Sequence, residues 1–127
     1  MSSKYKPYYI SHTYYCHACK AVVENAYNQL EGKTDEISVT ELMDGYNICK
    51  GKYYKHYKYE KGAMSHACTT ILRDFEIEFE EFLMKRHPKD PLEYLQFKFC
   101  GGSADPKEKS ITRACFNVRD DIEPATN

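Results

Sequence analysis

Tryptophan is absent from the 127 residues of this chain, and no apolar run approaches the length of about 18 residues that spans a membrane. Charges nearly balance at a formal net charge of −1, so no strong field of one sign attracts nucleic acid or anionic lipid. The first 15 residues lack the apolar core of a signal peptide, and no Asn-x-Ser/Thr glycosylation sequon occurs. These absences argue against a membrane span and a general polyanion binder.

Cysteine and tyrosine are unusually frequent for a chain of this length, with 6 cysteines and 12 tyrosines. An even set of cysteines in a short chain is typical of a disulfide framework in an oxidising compartment, whereas in cytosol it would favour metal or redox chemistry. The length is that of one domain with a modest core, which crosslinks would help to stabilise. We therefore expect a mature secretory-pathway protein, although the chain starts with methionine.

Apolar residues recur at helical spacing in the first half of the chain. A first helix is predicted to begin at Cys16 and to stop at Gly32. Ser38 and Glu41 have the form of a capping box, which predicts the start of a second helix that carries Cys49 at its far end. The basic, aromatic stretch that follows is predicted to be a loop or a frayed helix end.

The second half contains the clearest helical pattern. A long amphipathic helix is predicted over roughly 63–86, with phenylalanines every three or four residues and glutamates on the other faces. Asp90 and Pro91 predict the N-cap and first residue of a fourth helix, which ends at the two glycines 101–102. Another Asp-Pro pair at 105–106 permits a short fifth helix.

The chain is therefore predicted to form one all-α domain of four to five helices over residues 16–116. An extended, tyrosine-rich lead-in over residues 1–15 precedes this domain, and a flexible polar tail over residues 117–127 follows it. No strand pattern, internal repeat or low-complexity tract is evident.

The motif Cys16-His17-Ala18-Cys19 has three possible interpretations. A redox centre needs a thiolate of lowered pKa after a thioredoxin-like strand, and the preceding segment is only weakly strand-like. A zinc site needs two further ligands at close spacing, which the chain's histidines and other cysteines do not provide. A structural role, with the two cysteines in different disulfides, is favoured. No catalytic residue, metal ligand or cofactor is predicted.

Nesting gives one simple disulfide framework, because the first two cysteines are matched by two near the end of the chain. The nested pairs are Cys16–Cys115, Cys19–Cys100 and Cys49–Cys68. The inner pair would bracket the connection between the second and third helices, and the outer pairs would join the first helix to the end of the chain. Spacing alone does not select this connectivity among the many that six cysteines allow.

Three stretches resemble the Canopy family of saposin-like proteins, which includes the marginal-zone B-cell protein as a relative. They are the Cys-x-x-Cys opening followed by Val22-Val23-Glu24, the acidic and aromatic helix "HACTTILRDFEIEFEEFL" at 66–83, and the closing stretch "FCGGSADPKEKSITRAC" at 99–115. The resemblance covers about residues 14–116. The neurotrophic factors of the ER stress response share the cysteine order and fit the 66–83 helix less well.

This resemblance implies a saposin-like bundle stapled by the three nested disulfides. It also implies a non-enzymatic accessory protein of the ER lumen or the exterior. Such a protein binds a membrane receptor or a secreted client and supports its folding, assembly or complex. The alternative is a lipid-binding saposin, which would hold lipid between its apolar helix faces.

The tyrosine–lysine segment, residues 50–61, holds five lysines and four tyrosines around His56. The mixture could stack on single-stranded nucleic acid, bind an anionic lipid surface, form a protein interface, or lie as a solvated loop with its tyrosines on the core. The solvated loop is the simplest interpretation, and nucleic acid fits a disulfide-bonded protein poorly. As a partner-binding surface, its candidate contacts are Tyr53, Tyr54, Lys55, Tyr57, Lys58 and Tyr59.

Two features of the predicted third helix have ordinary structural interpretations. The acidic residues from Asp74 to Glu81 are predicted to be its solvated side. The stripe formed by Phe75, Phe79 and Phe82 is predicted to belong to the core rather than to line a lipid cavity.

Overall fold

The computed structural model describes residues 11–57, 59–102, 110–116 and 118. Every regular element among these residues is helical, which confirms the all-α prediction. In chain order the elements are α1 (His12–Leu30), α2 (Glu36–Met43), two 3₁₀ helices (Asp44–Cys49 and Gly51–Tyr54), α3 (Lys61–Lys85) and α4 (Leu92–Cys100). No helix in the described part of the chain is long and apolar enough to cross a membrane.

Helix α1 begins one turn earlier than predicted, at His12 instead of Cys16. The Ser11 hydroxyl is its N-cap and accepts a hydrogen bond from the Tyr14 N–H at 3.1 Å. The expected extended lead-in is therefore wrong for residues 12–15, and residues 1–10 lie outside the described part of the chain. Sequence periodicity missed this turn because the cap is a single hydroxyl and the turn is polar on most sides.

The end of α1 matches the prediction. The helix closes at Leu30, and Gly32 follows in the left-handed region at φ 85°. Glu31 also adopts a left-handed conformation and donates its N–H to the Tyr27 carbonyl at 3.2 Å. Glycine at this position lets the chain reverse without a Cβ penalty.

Helix α2 starts at Glu36, whereas an N-cap at Ser38 would have made Val39 its first residue. The helix therefore begins three residues earlier than predicted. Asp35 is the N-cap: one carboxylate oxygen accepts the Ser38 N–H at 2.9 Å, and the other accepts the Ser38 hydroxyl at 3.0 Å. The prediction of Ser38 as N-cap is wrong because an aspartate three residues earlier can accept from it, and a carboxylate is also favoured by the helix dipole.

The second helix does not continue to Cys49 as predicted. It ends at Met43, and the backbone then turns through left-handed conformations at Gly45 (φ 59°) and Tyr46 (φ 55°). The chain resumes in 3₁₀ geometry and brings Cys49 to the core. Apolar spacing alone could not show this break, because buried residues occur on both sides of it in the sequence.

Helix α3 confirms the prediction of a long amphipathic helix to within two residues at each end. The helix bends at Phe75, where φ is −131° and ψ is 31°. Phe79 is fully buried and its ring centroid lies 4.8 Å from that of Phe99 in α4. Phe75 and Phe82 are half-buried against the same core, so the phenylalanine stripe is part of the core as expected.

Helix α4 begins at Leu92 with Pro91 as its N-cap, one residue later than predicted. Asp90 instead accepts the His87 N–H at 3.0 Å and closes the turn between α3 and α4. The helix ends at Cys100, as the two glycines predicted. Gly101 is required there, since its φ is 88° and a Cβ would lie 2.7 Å from the Ser110 hydroxyl oxygen.

The last described segment, 110–116, completes the end of α4. Carbonyls in the final turn of a helix lack intrahelical donors. Here Lys98, Phe99 and Cys100 accept hydrogen bonds from backbone N–H groups of residues 111, 112 and 115, at 2.7–3.2 Å. The predicted fifth helix falls mostly on residues 103–109, outside the described part of the chain, as does most of the predicted tail. Val118 is buried, so the domain extends at least one residue past 117.

The three disulfides of the structure are the nested pairs. Cys16–Cys115 and Cys19–Cys100 join α1 to α4 and the segment after it, with Cα–Cα distances of 4.6 and 6.0 Å. Cys49–Cys68 joins the first 3₁₀ helix to α3 at 5.4 Å. The crosslinks therefore define two pairs of elements, α1 with α4 and the first 3₁₀ helix with α3, and noncovalent packing joins the two pairs.

Arg86 is a buried cation that closes the C-terminal end of α3. Its guanidinium donates from Nη1 to the Leu83 carbonyl at 2.6 Å and from Nη2 to the Lys33 carbonyl at 2.9 Å. Burial lowers the pKa of Arg86, and the nearby Asp90 carboxylate opposes this shift. The planar fork ties the end of α3 to the loop between α1 and α2.

The substitution Arg86→Lys is expected to lower the free energy of unfolding by about 1–3 kcal/mol, because a lysine ammonium cannot present the same fork to two carbonyls. Urea unfolding followed by helical circular dichroism measures this change. Lys85→Arg, at the exposed neighbouring position, is the control and should change stability by less than about 0.5 kcal/mol. Equal stability of the two variants would show that the fork contributes nothing.

Candidate functional site

The tyrosine–lysine segment directs two of its tyrosines into the core. Tyr54 is fully buried and Tyr57 is only 8% exposed. They are three residues apart, the spacing that places side chains on one side of a 3₁₀ turn, and the Tyr57 N–H donates to the Tyr54 carbonyl at 3.1 Å. Their burial contradicts the exposure for which these two tyrosines are predicted as partner contacts. It agrees with the simplest interpretation of the segment, a loop with its tyrosines on the core.

The Tyr54 hydroxyl belongs to a buried hydrogen-bond network. It donates to the Ile48 carbonyl at 2.9 Å and accepts from the Asn25 amide at 3.3 Å. Asn25 also donates to Ile48 at 3.0 Å, and Gln29 donates to the Asn25 side-chain oxygen at 2.8 Å. The network connects α1 to both 3₁₀ helices. Nothing in the sequence identifies Asn25 as part of this network, because a single asparagine on a helix gives no signal of its distant partner.

The Tyr57 hydroxyl donates to the Glu24 carboxylate at 2.5 Å. Burial raises the pKa of Tyr57 well above its ordinary value, and the hydrogen bond and charge of Glu24 raise it further. Burial also raises the pKa of Tyr54 strongly, although the hydrogen bond from Asn25 opposes the shift. Both phenols therefore stabilise the fold only in their neutral form.

Raising the pH above about 10 is expected to destabilise the protein. The folded-state pKa of Tyr54 and Tyr57 lies above the unfolded value, so their contribution is fully present below about pH 10 and is lost above it as the unfolded chain ionises. Alkaline titration, following tyrosinate absorbance and helical circular dichroism together, tests this. The buried phenols should ionise only as helix is lost, and Tyr57→Phe should make the alkaline loss of stability less steep. Full tyrosinate absorbance with intact helices would contradict the prediction.

The exposed surface of the tyrosine–lysine segment is more basic than aromatic. Tyr53 is half-buried with the Lys52 ammonium 5.2 Å from its ring centroid, and Tyr59 is half-buried with its ring 4.2 Å from that of Tyr14. Lys55 is exposed, whereas Lys58 lies outside the described residues. The exposed cations of the segment are Lys50, Lys52, Lys55 and Lys61.

A second surface, which sequence analysis did not identify, is a groove of about 430 Å³ between α3 and α4. Phe82 from α3 and Leu95 from α4 form its apolar floor. Tyr94 stands on its edge with 47% of its surface exposed, and Ile111 borders it from the segment after α4. The groove is lined by residues of both α3 and α4, which the turn at 86–91 connects, a juxtaposition that periodicity within one helix does not reveal.

Charged residues border the groove on both sides. Glu78 and Glu81 line it from α3, and Lys98 lines it from α4 with its ammonium 5.7 Å from the centroid of the Tyr94 ring. Lys85 and Arg86 lie at the end near the interhelical turn. An apolar centre with an exposed aromatic ring and a charged rim is suited to a protein segment.

The cysteines provide no free thiol. All six form disulfides, and Cys16 and Cys19 each pair with a distant cysteine and not with each other. Both lie inside α1, more than a turn from the N-terminus where a helix dipole would favour a thiolate. In this state the Cys-x-x-Cys motif has a structural role.

Comparison with known proteins gives no match. No family model matches the chain, no curated protein is similar to it, and no solved structure matches it. The resemblance to the Canopy family stays a prediction made from the residues.

Proposed function

We propose that this protein is a non-enzymatic accessory factor of the secretory pathway, in the ER lumen or secreted, that binds a protein client and supports its folding or assembly. The groove between α3 and α4 is the observation that carries the proposal. Its apolar floor, exposed Tyr94 and charged rim have the anatomy of a protein-binding surface, where aromatic anchors supply most of the binding energy.

The disulfides support both the compartment and the mode of action. Three crosslinks in one small domain are typical of an oxidising environment. Cys19–Cys100 fixes the end of α4, which forms one wall of the groove, and the Phe79 ring of α3 packs on the Phe99 ring of α4 at 4.8 Å. A surface held in its binding shape loses less entropy when a client binds. The resemblance to the Canopy family implies the same accessory role.

Crosslinking in secretory cells tests this function. The chain, directed to the ER by a signal peptide and tagged, would be crosslinked reversibly, purified and analysed by mass spectrometry. Membrane or secreted proteins should be recovered, and Tyr94→Ser should reduce their recovery several-fold. Ile37→Ser, which also removes an exposed apolar side chain but does not line the groove, is the matched control. Recovery that is unchanged by Tyr94→Ser would remove the groove from the proposal.

Lipid binding is a second candidate, favoured by the division of the disulfides. No disulfide joins the α1–α4 pair to the pair formed by the first 3₁₀ helix and α3. Separating the pairs would expose the apolar faces around Phe79 and Phe99 without breaking a crosslink. Mass spectrometry of an organic extract of the purified protein distinguishes the candidates. A near-stoichiometric lipid would favour lipid binding, and its absence would favour the protein client.

A further inference from the structure

The middle of α3 presents one sign of charge beside the groove. The stretch from Asp74 to Glu81 contains five acidic residues and no basic one. We call this stretch, residues 74–81, the acidic ridge. Four of its carboxylates are exposed, and Ile77 at its centre is 68% exposed. Because Ile77 and Glu81 are four residues apart on a helix, they lie on the same face, and Glu81 lines the groove.

Exposed apolar surface is concentrated around this site. The large exposed hydrophobic side chains of the described residues are Ile37, Ile77, Tyr94 and Ile111. Tyr94 and Ile111 line the groove, and Ile77 lies one helical turn before Glu81, which also lines it. Single exposed apolar residues need no explanation, but two in one groove, with a third one helical turn from its wall, mark a surface that a partner covers.

The cations at the groove leave the acidic wall available. Arg86 is buried and donates its guanidinium to two backbone carbonyls. Lys98 lies over the Tyr94 ring of its own helix, and Lys85, one helical turn after Glu81, lines the end near the interhelical turn together with Asp90. Glu78 and Glu81, both exposed, therefore continue the negative charge of the acidic ridge into the groove.

We infer that the groove and the acidic ridge bind a basic amphipathic segment of the client. A large apolar side chain of that segment enters the groove beside Tyr94, and its lysines or arginines pair with Glu78 and Glu81. This inference rests on the proposed function and names the part of the client that is recognised. Complementary charge selects the basic segment, since an acidic one would face Glu78 and Glu81 with like charge.

Fluorescence anisotropy with the full chain and three labelled peptides of about 18 residues tests the inference. The first peptide combines leucine and lysine at amphipathic helical spacing, the second replaces lysine by glutamate, and the third replaces leucine by serine. Only the leucine–lysine peptide should bind, and its affinity should fall several-fold between about 0.05 M and about 0.5 M salt. Equal binding of the glutamate peptide, or no binding of any peptide, would overturn the inference.

Matched charge reversals separate the site from net charge. Glu81→Lys should weaken binding of the leucine–lysine peptide about 5- to 10-fold. Glu41→Lys makes the same change in net charge at an exposed position of α2 outside the groove, and it should change affinity by less than about 2-fold. Equal effects of the two substitutions would mean that the peptide senses only the overall charge, and the inference would fail.

Two further readouts keep this inference distinct from its alternatives. Sedimentation velocity of the chain alone should show a monomer. A salt-sensitive dimer that Glu81→Lys abolishes would mean that the acidic ridge binds lysines of a second copy of the chain, and it would overturn the inference. In the cellular crosslinking experiment, clients that are lost with Tyr94→Ser but retained with Glu81→Lys would overturn the basic-segment inference and leave the accessory function standing. No crosslinked client at all would count against the function itself.

Discussion

Removing both outer disulfides by replacing Cys16, Cys19, Cys100 and Cys115 with alanine is expected to unfold the protein. The two bridges close loops with sequence separations of 99 and 81 residues, and they stabilise the fold chiefly by limiting the unfolded chain. Their joint loss should cost about 7 kcal/mol in the chain-entropy model, which is comparable to the whole stability of a domain of this size.

Removing only one outer bridge should cost much less, because the two loops are nested. In Cys19→Ala/Cys100→Ala, the Cys16–Cys115 bridge still closes the long loop. Only the short loop made of segments 16–19 and 100–115 is released, so the expected loss is about 3 kcal/mol. The inner pair, with a separation of 19 residues, should behave similarly when it is removed alone.

Urea unfolding without reductant, followed by helical circular dichroism, measures these differences. The four-alanine variant should lack a cooperative transition, while both two-alanine variants should keep one with a lower midpoint. If the four-alanine variant unfolds at the same urea concentration as Cys19→Ala/Cys100→Ala, then the long loop contributes nothing and packing alone holds α1 to α4.

Replacing Tyr54 by alanine is expected to lower the free energy of unfolding by about 3–5 kcal/mol. The ring is fully buried between α1, the 3₁₀ helices and α3, so its removal leaves a cavity, and the hydrogen bonds of its hydroxyl are lost as well. Tyr54→Phe keeps the ring and should cost about 1 kcal/mol, because Asn25 still donates to the Ile48 carbonyl.

The neighbouring residue provides the control for this prediction. Tyr53 lies in the same 3₁₀ helix but is half-buried, so Tyr53→Ala should cost less than about 1 kcal/mol. If Tyr54 were an exposed partner contact, Tyr54→Ala would lower the free energy of unfolding as little as Tyr53→Ala does. Urea midpoints of the two variants, measured at constant protein concentration, therefore distinguish a core tyrosine from a contact tyrosine.

Local patterns in the sequence predicted the features that depend on near neighbours along the chain. The phenylalanine and glutamate periodicity predicted α3 to within two residues at each end, since an amphipathic helix needs only a buried stripe. Gly32 and Gly101 ended their helices as predicted, because both adopt positive φ. Caps were less predictable, because the side chains of Ser11 and Asp35 begin their helices through local hydrogen bonds that a polar stretch offers at several positions.

The helical class thus follows from the sequence, because apolar spacing is a local property, whereas the nested disulfide order was one of several that the sequence allowed and the structure selected it. Which tyrosines are buried, and the groove at Phe82 and Leu95, are decided by the tertiary structure. Tyr54 is buried where α1 brings Asn25 within hydrogen-bond distance of its hydroxyl, and the groove forms where Phe82 of α3 and Leu95 of α4 line the same hollow. The burial of Tyr54 and the groove both depend on contacts between residues far apart in the sequence. Whether a side chain is buried is set by those contacts more than by its own chemistry.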